Sequence, residues 1–252
     1  MSTPLFDDFW LASQLDRHNL AGFARRASAF DADHKQLRLD YPDAPTPLPP
    51  TPVTALERAA QRRVSCRAFG PGELAVSDVA GLLASCRAWG GAEHRSYPSA
   101  GASYAVELFV VSWRIAGWGR RLSYYDAVDH GLVTLPDPAP GWDEAAPQIN
   151  VSVSGEPAAM VLAVIFADRL TAKYGERGGR FALLEAGAAM QQLSLSAARL
   201  DLAGVVAGGL VDAYWLDLLG LRRAGGSLGF GYLVGLPAEP RTGFGAWWRR
   251  RR

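Results

Sequence analysis

Cysteine is scarce in this chain, which has only Cys66 and Cys86 among its 252 residues. Two cysteines cannot build a disulfide framework or a cysteine-rich metal site, so the disulfide-stabilised secreted scaffolds are excluded. The N-terminal residues include Asp7 and Asp8 and no long apolar core, so we expect no secretory signal. No segment approaches the ~20 apolar residues needed to span a bilayer. We therefore expect a soluble protein of the reducing cytoplasm, with no membrane partner.

An excess of charge of one sign is also lacking, because 26 basic residues nearly balance 25 acidic ones. The formal net charge is +1, which gives no general attraction for nucleic acid or for an anionic membrane. We therefore expect no nucleic-acid partner. Lysine is as scarce as cysteine: Lys35 and Lys173 are the only lysines, and every other residue in the basic total is an arginine. A lysine at position 173 is thus an unusual choice for this sequence.

Two common nucleotide-binding signatures are missing as well. The chain has no strand-linked G-x-G-x-x-G and no P-loop, which argues against a bound nicotinamide Rossmann domain and against an NTPase. The histidines are scattered without metal-ligand spacing, so we predict no metal site; they are His18, His34, His94 and His130. A length of 252 residues with 49% hydrophobic residues still provides ample core for a globular enzyme.

Three regions of different composition divide the chain. Residues 1–53 are predicted to be an N-terminal arm, with helical spacing from Leu5 to Phe30 and then the proline-rich connector LRLDYPDAPTPLPPTP. Residues 54–240 form the main domain, in which strands alternate irregularly with helices. This pattern predicts an α+β fold, not a regular doubly wound sheet. The Trp/Arg-rich tail, residues 241–252, either binds an anionic partner or is solvated, as chain ends usually are.

Several elements of the main domain have recognisable limits. Thr54 and Glu57 form a capping-box pattern that begins a helix ending around Arg63, and Ser77 is the predicted N-cap of a helix that stops near Gly90. The segment RLSYYDAVDHGLVTL predicts one strand and a turn. Other predicted strands are Tyr104–Trp113, Met160–Phe166 and Ser227–Val234.

The longest helical pattern runs from Phe181 to Leu200. It is apolar over most of its circumference, which predicts a buried central helix. The basic segment KYGERGGR, residues 173–180, precedes it as a predicted turn. Small residues at 186–189 would allow a flat ligand or another helix to approach closely. A plain core helix and a core helix flanked by a cofactor site both fit this stretch.

Three short motifs contain candidate ligand-binding residues. Arg63, Ser65 and Arg67 supply two guanidinium groups and a hydroxyl, a set that suits a phosphate but also a solvated basic helix end. The small residues Pro98, Ser99, Ala100 and Gly101 form a loop before a strand, which by itself is only a turn. The third motif is the pair Gly208 and Gly209, which lies close to Asp212.

Taken together, five motifs resemble those of a known family in order and spacing: RRVSCRAF, PSAGASY, KYGERGGR, EAGAAMQQLSLSAARLDL and AGGLVDAYWLDLLGL. The family is the SagB-type thiazole/oxazole oxidases, the flavin-dependent azoline dehydrogenases of the nitroreductase superfamily, and the resemblance covers about Pro49 to Pro237. It implies a nitroreductase-like α+β fold with a central, mostly antiparallel sheet flanked by helices. It also implies a homodimer with FMN at the subunit interface, held by residues 54–240.

The resemblance assigns the cofactor-binding residues. Arg63, Ser65 and Arg67 match positions that contact the FMN phosphate and ribityl chain, whereas the loop from Pro98 through Ser99 and Ala100 to Gly101 matches the one lying against the isoalloxazine. Gly208 and Gly209 match the loop near the reactive nitrogen of the ring. Gln192 is assigned by position, although Gln191-Gln192 stands where the family commonly has Gln-Asn. Residues 102–105, Ala-Ser-Tyr-Ala, also depart from its usual Ala-Leu-Tyr-Pro.

Lys173 and Tyr174 match the lysine–tyrosine pair that azoline dehydrogenases use and that ordinary nitroreductases lack. Aromatising a thiazoline or an oxazoline removes a proton from the α-carbon and a hydride from the β-carbon, so a base must stand opposite the flavin. A neighbouring ammonium would favour a tyrosine phenolate as that base, and a desolvated lysine is the alternative. Joint action needs the turn at Gly175, because adjacent residues do not share a helix face. The other interpretation is a surface lysine beside a half-buried tyrosine.

The predicted function is an FMN-dependent oxidase that converts peptide-borne azolines to azoles, with molecular oxygen reoxidising the flavin. Its substrate would be a precursor peptide cyclised by a partner cyclodehydratase, or a carrier-bound intermediate. An NAD(P)H-dependent nitro- or quinone reductase is one alternative, and it would not need Lys173 or Tyr174. A non-catalytic flavoprotein scaffold subunit of a synthetase complex is another.

Overall fold

A computed structural model describes residues 5–29, 47–91 and 94–239 of the chain. Its centre is a six-stranded sheet in the order β3-β2-β1-β4-β6-β5, and every neighbouring pair of strands is antiparallel. The strands are β1 Val106–Ser112, β2 Arg121–Asp126, β3 Gly131–Thr134, β4 Ala159–Ile165, β5 Ala203–Ala207 and β6 Ser227–Gly235. This arrangement confirms the predicted α+β fold with a central antiparallel sheet.

The two central strands, β1 and β4, are buried along their whole length, because the sheet separates two apolar cores. Side chains of β1 alternate between these cores: Val106, Leu108 and Val110 join one, whereas Phe109 and Val111 join the other. Such continuous apolar runs are typical of strands covered on both faces.

Helices cover both faces of the sheet. Those of the described residues are α1 Leu5–Ser13, α2 Leu20–Ala29, α3 Ala55–Arg62, α4 Val76–Leu83, α5 Trp142–Ala145, α6 Asp168–Tyr174, α7 Arg177–Arg199 and α8 Asp212–Leu218. Helices α4 and α7 supply apolar residues to the core on the Val106 side, and α8 supplies Trp215 and Leu216 to the other. No described helix is long and apolar enough to cross a membrane.

The helix limits agree with the sequence at one cap and differ at another. At α3, Thr54 and Glu57 form the predicted capping box, and Arg63 is the C-cap. The predicted N-cap Ser77 is wrong, because α4 begins at Val76 and is capped at Ala75, whose N–H donates to the Asp78 carboxylate at 3.2 Å. The α-helix also ends at Leu83 and continues as one 3-10 turn to Cys86, so the stop near Gly90 is wrong too.

The segment KYGERGGR is not a turn. Helix α6 ends at Tyr174 and α7 begins at Arg177, four residues earlier than predicted, so that only Gly175 and Glu176 separate them. Gly175 has a φ of 58°, a left-handed conformation that glycine adopts without strain and that ends α6. The glycines of this segment suggested a turn, but Gly178 and Gly179 lie inside α7, where they pack against Leu170 and Phe6.

Three further expectations need correction. Helix α7 is not buried all round, since Leu183 is 40% exposed and Leu184 is 70% exposed. Residues 121–135 form the hairpin β2–β3, not one strand and a turn. The helical spacing of the arm belongs to the two helices α1 and α2, and Phe30 and most of the proline-rich connector, residues 37–46, lie outside the described residues.

Candidate active site

Lys173 and Tyr174 end α6 with their side chains directed at one point of the loop that precedes β1. A Cβ atom built on Gly101 would lie 2.5 Å from the Lys173 Nζ and 2.6 Å from the Tyr174 hydroxyl. Gly101 also has a φ of 60°, so both its backbone and its surroundings require glycine. The structure thus brings Gly101 together with a pair of residues that lies more than 70 positions further along the sequence.

The pair is fixed chiefly through Tyr174. Its ring packs edge-on against Phe181 of α7, with the ring centroids 5.2 Å apart. The Lys173 Nζ lies 5.3 Å from the centroid of the Tyr174 ring, within the range of a cation–π contact. Tyr174 is half-buried and Lys173 is exposed. Both side chains reach Gly101 although they are adjacent in a helix.

A buried carboxylate of α7 holds the loop that contains Gly101. Glu185 is 2% exposed, and its two oxygens accept hydrogen bonds from the Ser99 hydroxyl at 2.5 Å and from the Val106 N–H at 3.0 Å. The Ser99 hydroxyl oxygen accepts in turn from the Tyr104 N–H at 2.9 Å. Sequence reasoning missed Glu185, although it is the only acidic residue between Phe181 and Leu200.

An ionic cluster behind the loop fixes the start of β1. The carboxylate of Glu107, which is 8% exposed, pairs with Arg169 at 2.5 Å and lies 3.8 Å from Arg95. Arg169 also donates to the Tyr104 carbonyl oxygen at 2.7 Å. Arg95 donates to the hydroxyl of Tyr97, and burial raises the pKa of this phenol, so Tyr97 remains neutral. No local pattern of the sequence indicates this cluster.

The predicted phosphate-binding residues lie on an extended segment beside β5. The Cys66 N–H donates to the Gly204 carbonyl oxygen at 2.9 Å. Arg63, Ser65 and Arg67 are exposed, whereas the residues between them are half-buried. Alternate residues of an extended chain point the same way, so these three side chains share a face. Within the described ranges Arg63 and Arg67 form no ion pair, which leaves two cations and a hydroxyl available to an anion.

The glycine pair follows β5 directly. Gly208 is exposed, and a Cβ atom on it would meet nothing within 4 Å. Gly209 is buried, and a Cβ atom there would lie 2.9 Å from both Asn150 Cβ and Phe23 Cε1. One glycine therefore leaves open space and the other permits close packing.

Gln192 connects α7 to the segment that precedes the Gly101 loop. Its side-chain amide donates to the Ser96 carbonyl oxygen at 2.9 Å, and the side chain is half-buried. Pro98, between Ser96 and the Glu185-bound Ser99, is exposed, and Ala100 and Gly101 form a 3-10 turn with Ala102. The loop residues and Gln192 therefore belong to one connected region.

The N-terminal arm contacts both ends of this region. The Leu5 and Phe6 N–H groups donate to the Glu176 carboxylate at 3.1 and 2.9 Å, and the Phe6 ring lies against Gly179. Leu15 and Asp212 exchange two hydrogen bonds, with Leu15 N–H to carboxylate at 2.9 Å and Asp212 N–H to Leu15 carbonyl at 3.1 Å. Burial raises the pKa of Asp212 to about 6. The sequence did not predict that the arm docks here.

Comparison with known proteins identifies a family model and relatives that match this chain. The model of the nitroreductase family matches residues 60–235, more than two thirds of the chain. A protein of Methanocaldococcus jannaschii named as a nitroreductase is 26% identical over 180 residues, which cover 70% of this chain and 89% of that protein.

The solved structures that share the fold include the two described here. One is the E. coli microcin synthetase McbBCD complex with truncated pro-MccB17 bound. A chain of that complex has a TM-score of 0.65 and 20% identity to this protein, and the match covers 93% of this chain and 86% of that one. The other is a nitroreductase of Desulfovibrio desulfuricans in complex with FMN, with a TM-score of 0.52 and 21% identity. The match covers 77% of this chain and 91% of the D. desulfuricans chain. At these identities the likeness establishes the fold alone.

Proposed function

The chain belongs to the nitroreductase family of flavin-dependent oxidoreductases, and we propose that it oxidises peptide-borne thiazolines or oxazolines to thiazoles or oxazoles. The observation that carries the proposal is the convergence of the Lys173 ammonium and the Tyr174 hydroxyl on Gly101. Gly101 belongs to the loop proposed to lie against the flavin, and we propose that the two groups act there as proton-transfer groups beside the substrate. A hydride transfer from NAD(P)H would not require such groups.

The residues of the phosphate end fit FMN. Arg63 and Arg67 present guanidinium groups without a described ionic partner, and Ser65 adds a hydroxyl on the same face. Arginine forks match phosphate oxygens well. We propose that these three residues hold the FMN phosphate and ribityl chain, and that Gln192 with the loops at 98–101 and 208–209 surrounds the ring. Gly208 leaves the open space that a planar ring requires.

The protein's part in the reaction is to move a proton. Oxidation of an azoline to an azole breaks one C–H bond as a hydride and one as a proton. FMN supplies the two-electron oxidation when it is bound. One of the pair Lys173 and Tyr174 takes the α-proton, and the other stabilises the resulting charge or orients the ring. Because Gly101 has no side chain, both groups reach its side of the loop, which is where we propose that the substrate lies.

A peptide substrate and a multisubunit setting are supported by the McbBCD likeness, since that complex is a synthetase with a pro-peptide bound. We propose that an azoline-containing precursor peptide, or a carrier-bound intermediate, reaches this enzyme from a partner cyclodehydratase. We also propose a homodimer, supported by the apolar face of α7 that a single chain leaves uncovered, where Leu184 is 70% exposed.

A double substitution tests the mechanism. In Lys173→Ala, Tyr174→Phe, azole formation from an azoline peptide should fall at least about 100-fold, since a positioned general base contributes about that much. Mass spectrometry would follow the loss of two hydrogens per ring, and the flavin content would be measured in parallel. The matched control is Lys35→Ala, Tyr214→Phe, which removes the other lysine and a tyrosine of α8. Undiminished azole formation in the first variant would contradict the assignment of the pair.

Reduction of nitro- or quinone compounds is the second candidate function, favoured by the nitroreductase name of the M. jannaschii relative. It predicts that NAD(P)H reduces the flavin of the purified protein and that the Lys173→Ala, Tyr174→Phe variant retains this activity. Rapid reduction by NADPH together with inertness toward azoline peptides would favour it.

A further inference from the structure

The Gly101 loop is held by a single acidic side chain. Glu185 is the only acidic residue of α7, and only 2% of it is exposed. A carboxylate at such depth is unfavourable unless its oxygens are bonded. Both of them are, and all their described partners lie in the segment from Ser99 to Val106.

The hydrogen bonds of Glu185 connect the two ends of the Gly101 loop. One Glu185 oxygen accepts from the Ser99 hydroxyl at 2.5 Å and the other accepts from the Val106 N–H at 3.0 Å, so one residue holds the first and last positions of the loop. The Ser99 oxygen then accepts from the Tyr104 N–H at 2.9 Å and links the two ends a second time. Gly101 sits between these fixed points. A displacement of the loop would leave buried acceptors unpaired, so its position is narrowly defined.

We propose that Glu185 is a positioning residue for the proton-transfer pair. By fixing Ser99 and Val106, Glu185 determines where Gly101 lies. Gly101 in turn determines where the Lys173 Nζ and the Tyr174 hydroxyl lie, because a Cβ atom built on it would be 2.5 and 2.6 Å from them. Glu185 itself acts through the loop and touches neither group in the described contacts. The inference rests on the proposed function only where it treats the pair as catalytic.

The rarity of lysine makes the placement directly measurable. The chain has two lysines, so in a Lys35→Arg background Lys173 is the only one left. Incorporation of ¹³C-labelled lysine then gives a single side-chain NMR signal that reports the surroundings of Lys173. Lys35→Arg alone serves as the reference, with FMN added to saturation throughout.

Three substitutions distinguish the effect of the loop's hydrogen bonds from the effect of the bulk of the buried side chain. Glu185→Gln retains an acceptor for Val106 and a donor for Ser99, so we expect a Lys173 signal at the reference position. Glu185→Leu keeps similar bulk without either bond, and Ser99→Ala removes the serine's bonds from a half-buried loop residue. Both should shift the Lys173 signal. Ser99→Ala decides the question if Glu185→Leu does not fold.

Turnover supplies the second readout. With an azoline peptide, kcat should fall at least about tenfold in Ser99→Ala and Glu185→Leu with little change in KM, and Glu185→Gln should restore kcat to within about threefold, as expected for misplacement of proton-transfer groups. A reference-like Lys173 signal in folded Ser99→Ala and Glu185→Leu would overturn the proposal. A shifted signal in a protein inert toward azolines would uphold the positioning and instead reject the proposed function.

Discussion

At the scale of single residues, the candidate site depends on a glycine that lies against two polar side chains. Gly101→Ala adds a methyl group where the Lys173 ammonium and the Tyr174 hydroxyl lie, in a backbone conformation with a φ of 60°. The left-handed backbone costs about 1 kcal/mol for alanine. We expect azole formation to fall at least about tenfold, because the two proposed proton-transfer groups must move aside.

Gly117→Ala is the matched control for this prediction. Gly117 also has a positive φ, 74°, but a Cβ atom on it would meet nothing within 4 Å. The unfolding free energy of the Gly117→Ala variant, measured by urea denaturation, should fall about as much as that of Gly101→Ala. Turnover by Gly117→Ala should stay at the wild-type value. Equal turnover in the two variants would show that Gly101 matters only for stability.

A second residue-scale prediction concerns Asp212, whose pKa burial raises to about 6 from 3.8. Between pH 3.8 and about pH 6, Asp212 loses its proton more readily in the unfolded chain than in the folded one. The free energy of unfolding therefore falls as the pH rises through this range. Asp212→Asn still accepts from the Leu15 N–H but does not titrate. The variant should match the wild type near pH 4 and exceed it by on the order of 1 kcal/mol near pH 7.5, allowing for partial exposure. Urea denaturation at several pH values measures this, and a gain independent of pH would contradict it.

The sequence identified some of the residues involved and not others, for a physical reason. Lys173 and Tyr174 were recognisable from their adjacency, from the rarity of lysine and from the family resemblance. Glu185 and the Arg95–Glu107–Arg169 cluster were not, because their partners lie up to 86 positions away in the sequence. A single acidic residue in an apolar helix was the one available signal.

At the scale of elements, the junction between α6 and α7 determines where the Lys173–Tyr174 pair is presented. Gly178 in the first turn of α7 lies against α6, and a Cβ atom on it would be 2.5 Å from the Leu170 carbonyl carbon and 2.6 Å from its oxygen. Backbone atoms cannot yield as a flexible side chain does. Gly178→Ala should therefore lower the unfolding free energy by about 2 to 3 kcal/mol, measured by urea denaturation.

Gly187→Ala tests the same substitution elsewhere in α7. A Cβ atom at Gly187 meets nothing within 4 Å, so alanine should raise the unfolding free energy of a single chain by up to about 1 kcal/mol through its helix propensity. Similar losses at both positions would mean that the α6–α7 contact is not the cause.

Element types were more predictable than element limits. The buried strands β1 and β4 follow from continuous apolar runs, and the α3 cap follows from Thr54 and Glu57. The start of α7 was placed too late because Gly178 and Gly179 suggested a turn, whereas the structure uses their small size for helix packing against Leu170 and Phe6. A contact between distant segments of the chain cannot be seen in local spacing.

At the scale of the whole molecule, the uncovered face of α7 predicts a second copy of the chain. The neighbouring leucines Leu183 and Leu184 are 40% and 70% exposed in the single chain. Light scattering after gel filtration should show a dimer for the wild type and a monomer for Leu184→Glu, because a charge in an apolar interface remains unpaired. Val133→Glu, at a 55% exposed position on the edge strand β3, is the control and should stay dimeric. A monomeric wild type, or a dimeric Leu184→Glu, would contradict this assembly.

The visible absorption spectrum of the purified protein, recorded without oxygen, tests the central claim most directly. We expect flavin bands that bleach when an azoline-containing peptide is added and that persist when NADPH is added instead. Bleaching by the peptide alone would show that the azoline is the reductant of the flavin. Bands that bleach with NADPH and not with the peptide, or no bands after reconstitution with FMN, would contradict azoline oxidation by this protein.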